Sequence, residues 1–324
     1  MKKWNVCVVG ATGLVGSTIL KVLEEREFPV NKLFPFSSKN SSGQTIAFAG
    51  KKWMVEELKE DSFTEEMEIA IFSAGGSVSE KFAPLAVEKG ILVIDNSSFW
   101  RMKEDVPLIV PEVNPEDIKS QGIIANPNCS TIQCMLALKL LQNQYGLERV
   151  IYSSYQACSG AGVKGLRDLE YATTETFDEP IVKNLIPRID SFLDNGYTKE
   201  EMKMIEESKK ILHQKDLRIT ATTVRVPVDF GHAVSVNVEL KEDFDLEEIR
   251  TMFANTPGLV FMDDPKNLVY PTPSDVKGKD EVYVGRLRRD FSQKKSLNMW
   301  LVADNVRKGA ATNSVEIAEL AIRK

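Results

Sequence analysis

The chain has 324 residues, of which 43% are hydrophobic and 27% charged, which suits a globular protein with room for two domains. The formal net charge of -6 argues against a broad nucleic-acid-binding surface. No apolar run approaches the roughly 20 residues of a membrane-spanning helix, and the start does not resemble a signal peptide, so we expect a cytoplasmic protein without a membrane partner.

The first half of the chain alternates between strand and helix patterns. Four short apolar runs predict buried parallel strands: Asn5–Val9, Leu33–Phe36, Ile69–Phe72 and Ile91–Ile94. Helical spacing covers Leu14–Glu25 and Ser79–Lys89, although Pro84 argues that the second helix starts late. This order predicts a Rossmann-like, doubly wound α/β sheet.

After residue 129 the pattern changes. A helix is predicted to about Gln144, and another, charged and exposed, at Thr198–Leu212. Longer, alternating segments predict an α+β domain with an antiparallel or mixed sheet: Val150–Ala157, Arg218–Val226, Ala233–Leu240, Glu281–Leu287 and Leu297–Ala303. Phe177–Asn195 is predicted to be a loop-rich excursion, and Val306–Ile322 an amphipathic helix that ends the chain.

A glycine-rich turn joins the first strand to the first helix, in the order Gly10-Ala11-Thr12-Gly13-Leu14-Val15-Gly16. Glycines let the backbone approach a pyrophosphate, and the helix N-terminus supplies N–H groups and partial positive charge. The spacing is GxxGxxG rather than GxGxxG, so a tight turn that uses glycine only for geometry is the alternative.

The end of the second strand indicates which nicotinamide cofactor fits. Phe36 is followed by Ser37, Ser38 and Lys39, with Ser41 shortly after. NAD sites usually carry a carboxylate here, whereas hydroxyls and a cation suit the 2′-phosphate of NADP, although serine-rich stretches are also common in surface loops. A third turn of small residues, Ser73-Ala74-Gly75-Gly76, follows the strand at Ile69–Phe72, where this fold brings the backbone near the cofactor.

Four cysteines without a CxxC pair, and only two histidines, leave no ligand set for zinc, so we expect free thiols and no metal. Cys7 and Cys134 lie in apolar runs typical of a core, and Cys158 precedes a turn of small residues. Cys129 follows an Asn-Pro-Asn turn and begins a helix, where the dipole stabilises a thiolate. A catalytic thiol and a structural cysteine both fit this position.

A nucleophilic cysteine requires a base. His213 ends a charged helix and fits a surface role, whereas His232 lies after a Gly turn between two strands, where clefts form. The shortage of histidines therefore favours His232 as the base.

Five motifs resemble those of aspartate-semialdehyde dehydrogenases, in the same order and across essentially the whole chain. They are GATGLVG at residues 10–16, NPNCST at 126–131, YQACSGAG at 155–162, RVPVDFGH at 225–232 and ADNVRKGAA at 303–311. Position 158 departs from the family, because it is Cys where a small aliphatic residue such as Val is expected, and its role stays open.

The resemblance implies catalytic roles for three residues. Cys129 corresponds to the nucleophile, His232 to the acid/base and Gln156 to the glutamine that orients the substrate. Arg225 corresponds to the arginine that binds the substrate carboxylate, a role that suits a bidentate guanidinium.

The resemblance also implies binding roles. Glu200 corresponds to the residue that meets the substrate amine, with Glu201 as an adjacent alternative. Arg101 and Lys203, with Asn96, correspond to phosphate ligands. Cofactor contacts are expected from the glycine-rich turn and from Ser37, Ser38, Ser41, Ser73, Ala74, Gly75, Ser159, Gly160 and Asn305.

The family's fold implies an NADP-binding domain of residues 1–128 and 305–324, to which the last helix returns, and a catalytic and dimerisation domain of residues 129–304. The implied reaction is the reversible, NADP-dependent conversion of L-4-aspartyl phosphate to L-aspartate 4-semialdehyde through a cysteine thioester. It serves lysine (diaminopimelate), methionine and threonine biosynthesis, and the family's members are homodimers.

Two alternatives remain open. An N-acetyl-γ-glutamyl-phosphate reductase uses the same chemistry, but its acetylated amine is uncharged and leaves no task for Glu200. A non-catalytic NADP-binding homologue would be expected to lack the thiol or the base, and both are present here.

Overall fold

The computed structural model describes residues 2–323, which form two compact units. The first unit contains the chain through Pro127 and again from Ala310 onward, and the second contains Asn128–Gly309. Among the helices of the described residues, none combines the length and apolar character needed to cross a bilayer.

The regular elements are numbered in chain order. The strands are β1 (Trp4–Val9), β2 (Val30–Ser37), β3 (Thr45–Phe48), β4 (Lys51–Met54), β5 (Glu56–Glu57), β6 (Ile69–Phe72), β7 (Leu92–Asp95), β8 (Ile123–Ala125), β9 (Leu147–Gln156), β10 (Arg218–Arg225), β11 (His232–Leu240), β12 (Leu259–Phe261), β13 (Val282–Arg289) and β14 (Ser296–Ala303). The helices are α1 (Leu14–Glu25), α2 (Gly76–Glu88), α3 (Cys129–Tyr145), α4 (Gly162–Tyr171), α5 (Lys199–Ile211), α6 (Leu246–Ala254), α7 (Pro273–Val276) and α8 (Thr312–Ala321). A π-helical turn covers Arg307–Ala311.

The first unit is built on a parallel sheet in the order β5-β2-β1-β6-β7-β8. Alternate residues of β1 enter two separate cores, because neighbouring side chains of a strand point to opposite faces. Val6 and Val8 pack with α1 and α8, whereas Cys7 and Val9 pack with α2. The doubly wound prediction and the return of the last helix to this unit are thus confirmed.

The late start predicted for the second helix is wrong. Helix α2 begins at Gly76 and continues through Pro84. Proline removes one internal hydrogen bond. Its neighbours Ala83 and Ala86 are fully buried in the core of the first unit, and this packing offsets the loss.

The second unit is built on a mixed sheet, as predicted, and its strand order is β10-β9-β11-β14-β13-β12. The pairs at the two edges are parallel and the three central pairings are antiparallel. Helix α3 lies against the central strands and α5 against β10. The sequence analysis missed α4, α6 and α7, and also the strands β3, β4, β5, β8 and β12, which have only two to four residues each.

Two predictions about helix surfaces are wrong. Helix α5 is not exposed, because Met204, Ile205 and Ile211 pack inward and three of its glutamates are buried as well. The last helix is not a single amphipathic helix, because a π-helical turn precedes α8. Most of α8 is buried, including the polar residues Asn313 and Ser314.

The excursion predicted at Phe177–Asn195 is confirmed, since these residues hold only isolated bridges, such as Ile186 with Arg225, and no helix or strand.

Candidate active site

The glycine-rich turn of the first unit is shaped by close backbone approaches. Gly10 has φ +83°, and a Cβ there would lie 2.3 Å from the carbonyl oxygen of Ser73. A Cβ on Gly16 would lie 2.0 Å from the carbonyl oxygen of Gly10. Only glycine fits these two positions, so the turn lies flat against the start of α1.

The turn leaves the N-terminus of α1 available to an anion. The N-cap residue of α1 is Gly13, which has no side chain that could cap the first N–H groups of the helix. First-turn N–H groups without caps are suited to bind phosphate oxygens. The residues present therefore fit the pyrophosphate of a dinucleotide.

Some of the other predicted cofactor residues of the first unit lie beside this turn. Thr12 Oγ1 lies 2.8 Å from Ser37 Oγ at the end of β2, and Ser73 contacts Gly10. Ser38 precedes a 3₁₀ turn at Lys39–Ser41, which places two hydroxyls and an ammonium group at the end of β2.

Arg101 and Asn96 lie together in the first unit. The Arg101 Nη2 donates to the carbonyl oxygen of Asn96 at 2.8 Å, and its Nε donates to that of Asn126 at 2.9 Å. The Asn96 side-chain amide donates to the carbonyl oxygen of Phe72 and accepts from Ser314. The backbone carbonyl groups thus hold the Arg101 guanidinium in place. Both polar atoms of the Asn96 side chain are already hydrogen-bonded to other residues of the first unit.

In the second unit, Cys129 is the first residue of α3, as predicted. The preceding residue, Asn128, is the N-cap, and its Oδ1 accepts from the N–H groups of Ser130 and Thr131. Cys129 is half-buried, whereas Cys7, Cys134 and Cys158 are buried. The thiol at the helix N-terminus is thus also the most accessible of the four, and the helix dipole favours its thiolate.

Gly309, in the π-helical turn, contacts this thiol residue. A Cβ at position 309 would lie 2.9 Å from the Cβ of Cys129. The backbone of the π-helical turn therefore packs directly against the nucleophile candidate, and a larger residue would displace it.

The backbone of Ala157 joins His232 to Arg225. Its N–H donates to His232 Nδ1 at 3.0 Å, and its carbonyl oxygen accepts from Arg225 Nη1 at 2.6 Å. Arg225 is also paired with Gln156 in the β10–β9 register and lies 5.6 Å from the ring of Phe177. The backbone directly after β9 thus fixes the positions of the His232 and Arg225 side chains.

The hydrogen bond from Ala157 determines the tautomer of the His232 ring. Because a backbone N–H donates to Nδ1, that nitrogen is the acceptor, and the neutral ring carries its hydrogen on Nε2. Burial, with a smaller contribution from Arg225, holds the His232 pKa well below its usual range, so the ring is neutral. Nε2 is buried and has no partner among the described residues. The resting ring therefore offers a hydrogen-bond donor there, and the acid/base role expected from the sequence stays a prediction.

Glu200 connects most of the remaining residues. Its Oε1 accepts from Asn128 Nδ2 at 2.8 Å and from Gln156 Nε2 at 3.3 Å, and its Oε2 pairs with Lys203 at 3.1 Å. Burial alone would raise its pKa. Lys203, Asn128 and Arg225 outweigh burial, and the pKa of Glu200 is lowered. Glu200 is therefore a buried anion.

Glu201 performs a different task on the same helix. Its Oε2 accepts from the N–H of Thr198 in a capping box, and its Oε1 accepts from the N–H of Thr223. Both oxygens serve the fold, so of the two candidates only Glu200 contacts the other site residues.

Lys203 lies between Glu200 and Asp190, at 3.1 Å and 2.9 Å. Burial alone would lower the pKa of the ammonium group, but the two carboxylates outweigh it and raise the pKa. Asp190 lines a cavity of about 430 Å³ with Arg225, Arg188 and Phe177. An anion that binds Lys203 has to compete with Asp190.

Asn305 organises the residues next to His232. Its Oδ1 accepts from the N–H of Gly231 at 3.0 Å, and its Nδ2 donates to Ser159 Oγ at 2.9 Å. A Cβ on Gly160 would lie 2.8 Å from Arg225 Nη1 and 3.2 Å from His232 Nε2. The three cofactor residues predicted in this unit are therefore adjacent to His232.

Cys158 packs in a small core with Phe177 and Ile181, and its Sγ lies 3.4 Å from the carbonyl oxygen of Val226. Burial raises the pKa of Cys158 to about 11, despite the opposing effect of Arg225. This thiol is neutral at physiological pH and is a packing residue.

Sequence reasoning missed three site residues: Asn128, Ala157 and Gly309. Asn128 had a signal, since Asn before a helix is a common N-cap. The others act through contacts between residues distant in sequence, which no local pattern reveals.

Two family models match the chain. One, described as semialdehyde dehydrogenase, NAD binding domain, matches residues 5–121, and the other, semialdehyde dehydrogenase, dimerisation domain, matches residues 138–308. The aspartate-semialdehyde dehydrogenase of Aquifex aeolicus is 48% identical over 335 residues, which cover 99% of this chain and 98% of that relative. That of Bacillus subtilis is 48% identical over 334 residues, covering 97% and 96%.

A solved structure agrees. Aspartate semialdehyde dehydrogenase II from Vibrio cholerae, complexed with ASA, superposes with a TM-score of 0.97 at 47% identity, covering 100% of this chain and 99% of that one.

Proposed function

The chain belongs to the aspartate-semialdehyde dehydrogenase family of oxidoreductases, and we propose that it interconverts L-aspartate 4-semialdehyde and L-4-aspartyl phosphate with NADP and phosphate. The observation that carries this proposal is the half-buried thiol of Cys129 at the start of α3, beside the hydrogen-bonded group of Asn128, Glu200 and Gln156.

Cys129 is the nucleophile in this proposal. Its thiolate attacks the aldehyde carbon, a C–S bond forms, and the carbonyl electron pair moves to oxygen. His232 Nε2–H donates a hydrogen bond to that oxyanion, a contribution worth about 10²–10³-fold for a preorganised donor. A bound nicotinamide would supply the hydride acceptor, and loss of the hydride from the tetrahedral adduct leaves a thioester on Cys129. A phosphate oxygen then attacks the thioester carbon, and the Cys129 thiolate leaves. Biosynthesis uses the reverse direction.

Substrate recognition rests on opposite charges. Arg225 is buried and held by Ala157, so its guanidinium is preorganised to bind the substrate's α-carboxylate. Glu200 is a buried anion suited to the substrate's ammonium group, and Gln156, bonded to it, orients the substrate at the thiol. Lys203, Arg101 and Asn96 are assigned to phosphate.

The ammonium site separates this reaction from that of N-acetyl-γ-glutamyl-phosphate reductase. An acetylated amine has no charge to pair with Glu200, and a buried carboxylate facing a neutral group costs free energy. The relatives at 48% identity also favour the aspartate enzyme.

NADP is proposed because the end of β2 offers Ser37, Ser38, Lys39 and Ser41, without a carboxylate in that stretch. A 2′-phosphate carries negative charge and accepts hydrogen bonds from hydroxyl and ammonium groups, whereas NAD binding usually uses a carboxylate.

A homodimer is proposed through the second unit, which matches the family's dimerisation domain. Its sheet presents Ser153 opposite Ser235, and the exposed Tyr155 beside Trp300. Small residues next to an exposed tyrosine suit a subunit contact. Sedimentation velocity of the purified chain tests this proposal.

The decisive assay measures NADPH formation with phosphate and each semialdehyde in parallel. We expect turnover with L-aspartate 4-semialdehyde and none with N-acetyl-glutamate semialdehyde. C129A should bind NADP and have no turnover, and substantial residual activity in that variant would contradict the proposal.

A further inference from the structure

A buried carboxylate holds the backbone directly before the proposed nucleophile. The N–H of Asn128 donates to Glu207 Oε2 at 2.6 Å, and the two residues are 6% and 1% exposed. Burying a charged group is costly unless it is paired and hydrogen-bonded. A short charge-assisted hydrogen bond is among the strong ones available to a backbone N–H.

Glu207 lies on the same helix as Glu200, about two turns further along α5. Residues with this spacing lie on one helix face. Glu200 binds the side chain of Asn128 and Glu207 binds its backbone. Helix α5 therefore holds Asn128 at two points.

Asn128 passes this constraint to Cys129. Its Oδ1 caps the N–H groups of Ser130 and Thr131, and its backbone is extended, with φ -63° and ψ 143°. The backbone of Cys129 is thus fixed on one side by the first turn of α3 and on the other by a residue bonded to α5.

We propose that Glu207 is a positioning residue, which acts through the Asn128 N–H to set the direction from which the Cys129 thiolate attacks. This inference rests on the proposed nucleophilic role of Cys129. Attack on a carbonyl carbon demands close alignment, and a displacement of about 1 Å costs roughly 10²-fold in rate. The charge of Glu207 is secondary to the position of its oxygen atom.

Two conservative substitutions separate position from charge. E207Q keeps an acceptor oxygen at the same reach and loses the charge, so we expect kcat to fall by no more than about 5-fold. E207D keeps the charge but withdraws the carboxylate by one methylene, so kcat should fall by about 10- to 100-fold. KM for phosphate and NADP should stay within about 2-fold in both variants.

Glu206 is the matched control, because it lies next on the same helix, is more exposed and pairs with Lys209. E206D should leave kcat unchanged. The proposal is overturned if E207D retains the wild-type kcat, if E207Q loses more activity than E207D, or if E206D loses as much as E207D.

Amide hydrogen exchange gives a readout that does not require activity. In E207D the amide of Asn128 should exchange faster than in the wild type, with most of α3 unchanged. If the wild type turns over no semialdehyde, the proposed function fails, but this measurement still tests whether Glu207 holds the Asn128 backbone. Unchanged exchange at Asn128 in E207D overturns the positioning role whatever the activity.

Discussion

The glycine-rich turn of the first unit and the thiol site of the second are built by opposite means. The turn depends on the absence of side chains, which lets backbone segments approach each other closely. A Cβ on Gly10 or Gly16 would lie within 2.3 Å of a carbonyl oxygen. The thiol site works through buried polar side chains, each held by a specific partner, such as His232 by Ala157 and Gln156 by Glu200. A change in one region should therefore affect cofactor binding, and a change in the other the chemistry.

The largest effect should come from His232. H232A removes the Nε2–H donor, and kcat should fall by about 10²–10³-fold, as for a lost oxyanion donor. H232Q also lacks an imidazole base but retains an N–H donor, so it should be several-fold more active than H232A. The measurement is kcat at saturating substrates, with H213Q at the exposed histidine as control. Equal activities in H232A and H232Q would favour a base and contradict the donor role.

The glycine turn should show the next largest effect. G16A places a Cβ 2.0 Å from the Gly10 carbonyl oxygen, whereas G13A places one at 3.3 Å. NADP affinity should fall by about 100-fold in G16A and much less in G13A, because only the first change must move backbone. Fluorescence titration measures the affinity.

The rate of Cys129 alkylation by iodoacetamide shows whether G16A also affects the thiol site. It should be the same in G16A and in the wild type, since the thiol belongs to the other unit. A large change would show that the two regions are not independent.

Local patterns were sufficient for the first region. Helix α1 and strand β6 have the predicted bounds, and the glycine spacing between a strand and a helix indicated the turn. The second region was only partly predictable, because its contacts join distant residues. Glu207 lies in a helix predicted to be exposed, and the Ala157 backbone that orients His232 has no sequence signature.

A moderate effect is expected from Ser38 in the first region. S38D places a carboxylate at the end of β2, where it repels a 2′-phosphate and can accept from the ribose hydroxyl of NAD. The ratio of kcat/KM for NADP to that for NAD should fall by about 10-fold or more, from charge repulsion. An unchanged ratio would mean that this turn does not contact the adenosine ribose.

The smallest effect is expected from Cys158. Its thiol is buried, with the pKa raised to about 11, and C158V is close to volume-conserving. The variant should keep kcat within about 2-fold and still take up iodoacetamide at Cys129. A large loss of activity would indicate that Cys158 takes part in the chemistry.

The most direct test of the thioester mechanism is the mass of the acylated protein. The chain is mixed with L-aspartate 4-semialdehyde and NADP without phosphate, quenched in acid and digested. We predict an aspartyl thioester on the peptide containing Cys129, which disappears when phosphate is added before the quench. An adduct on Cys158, or no adduct while NADPH is formed, would contradict the account.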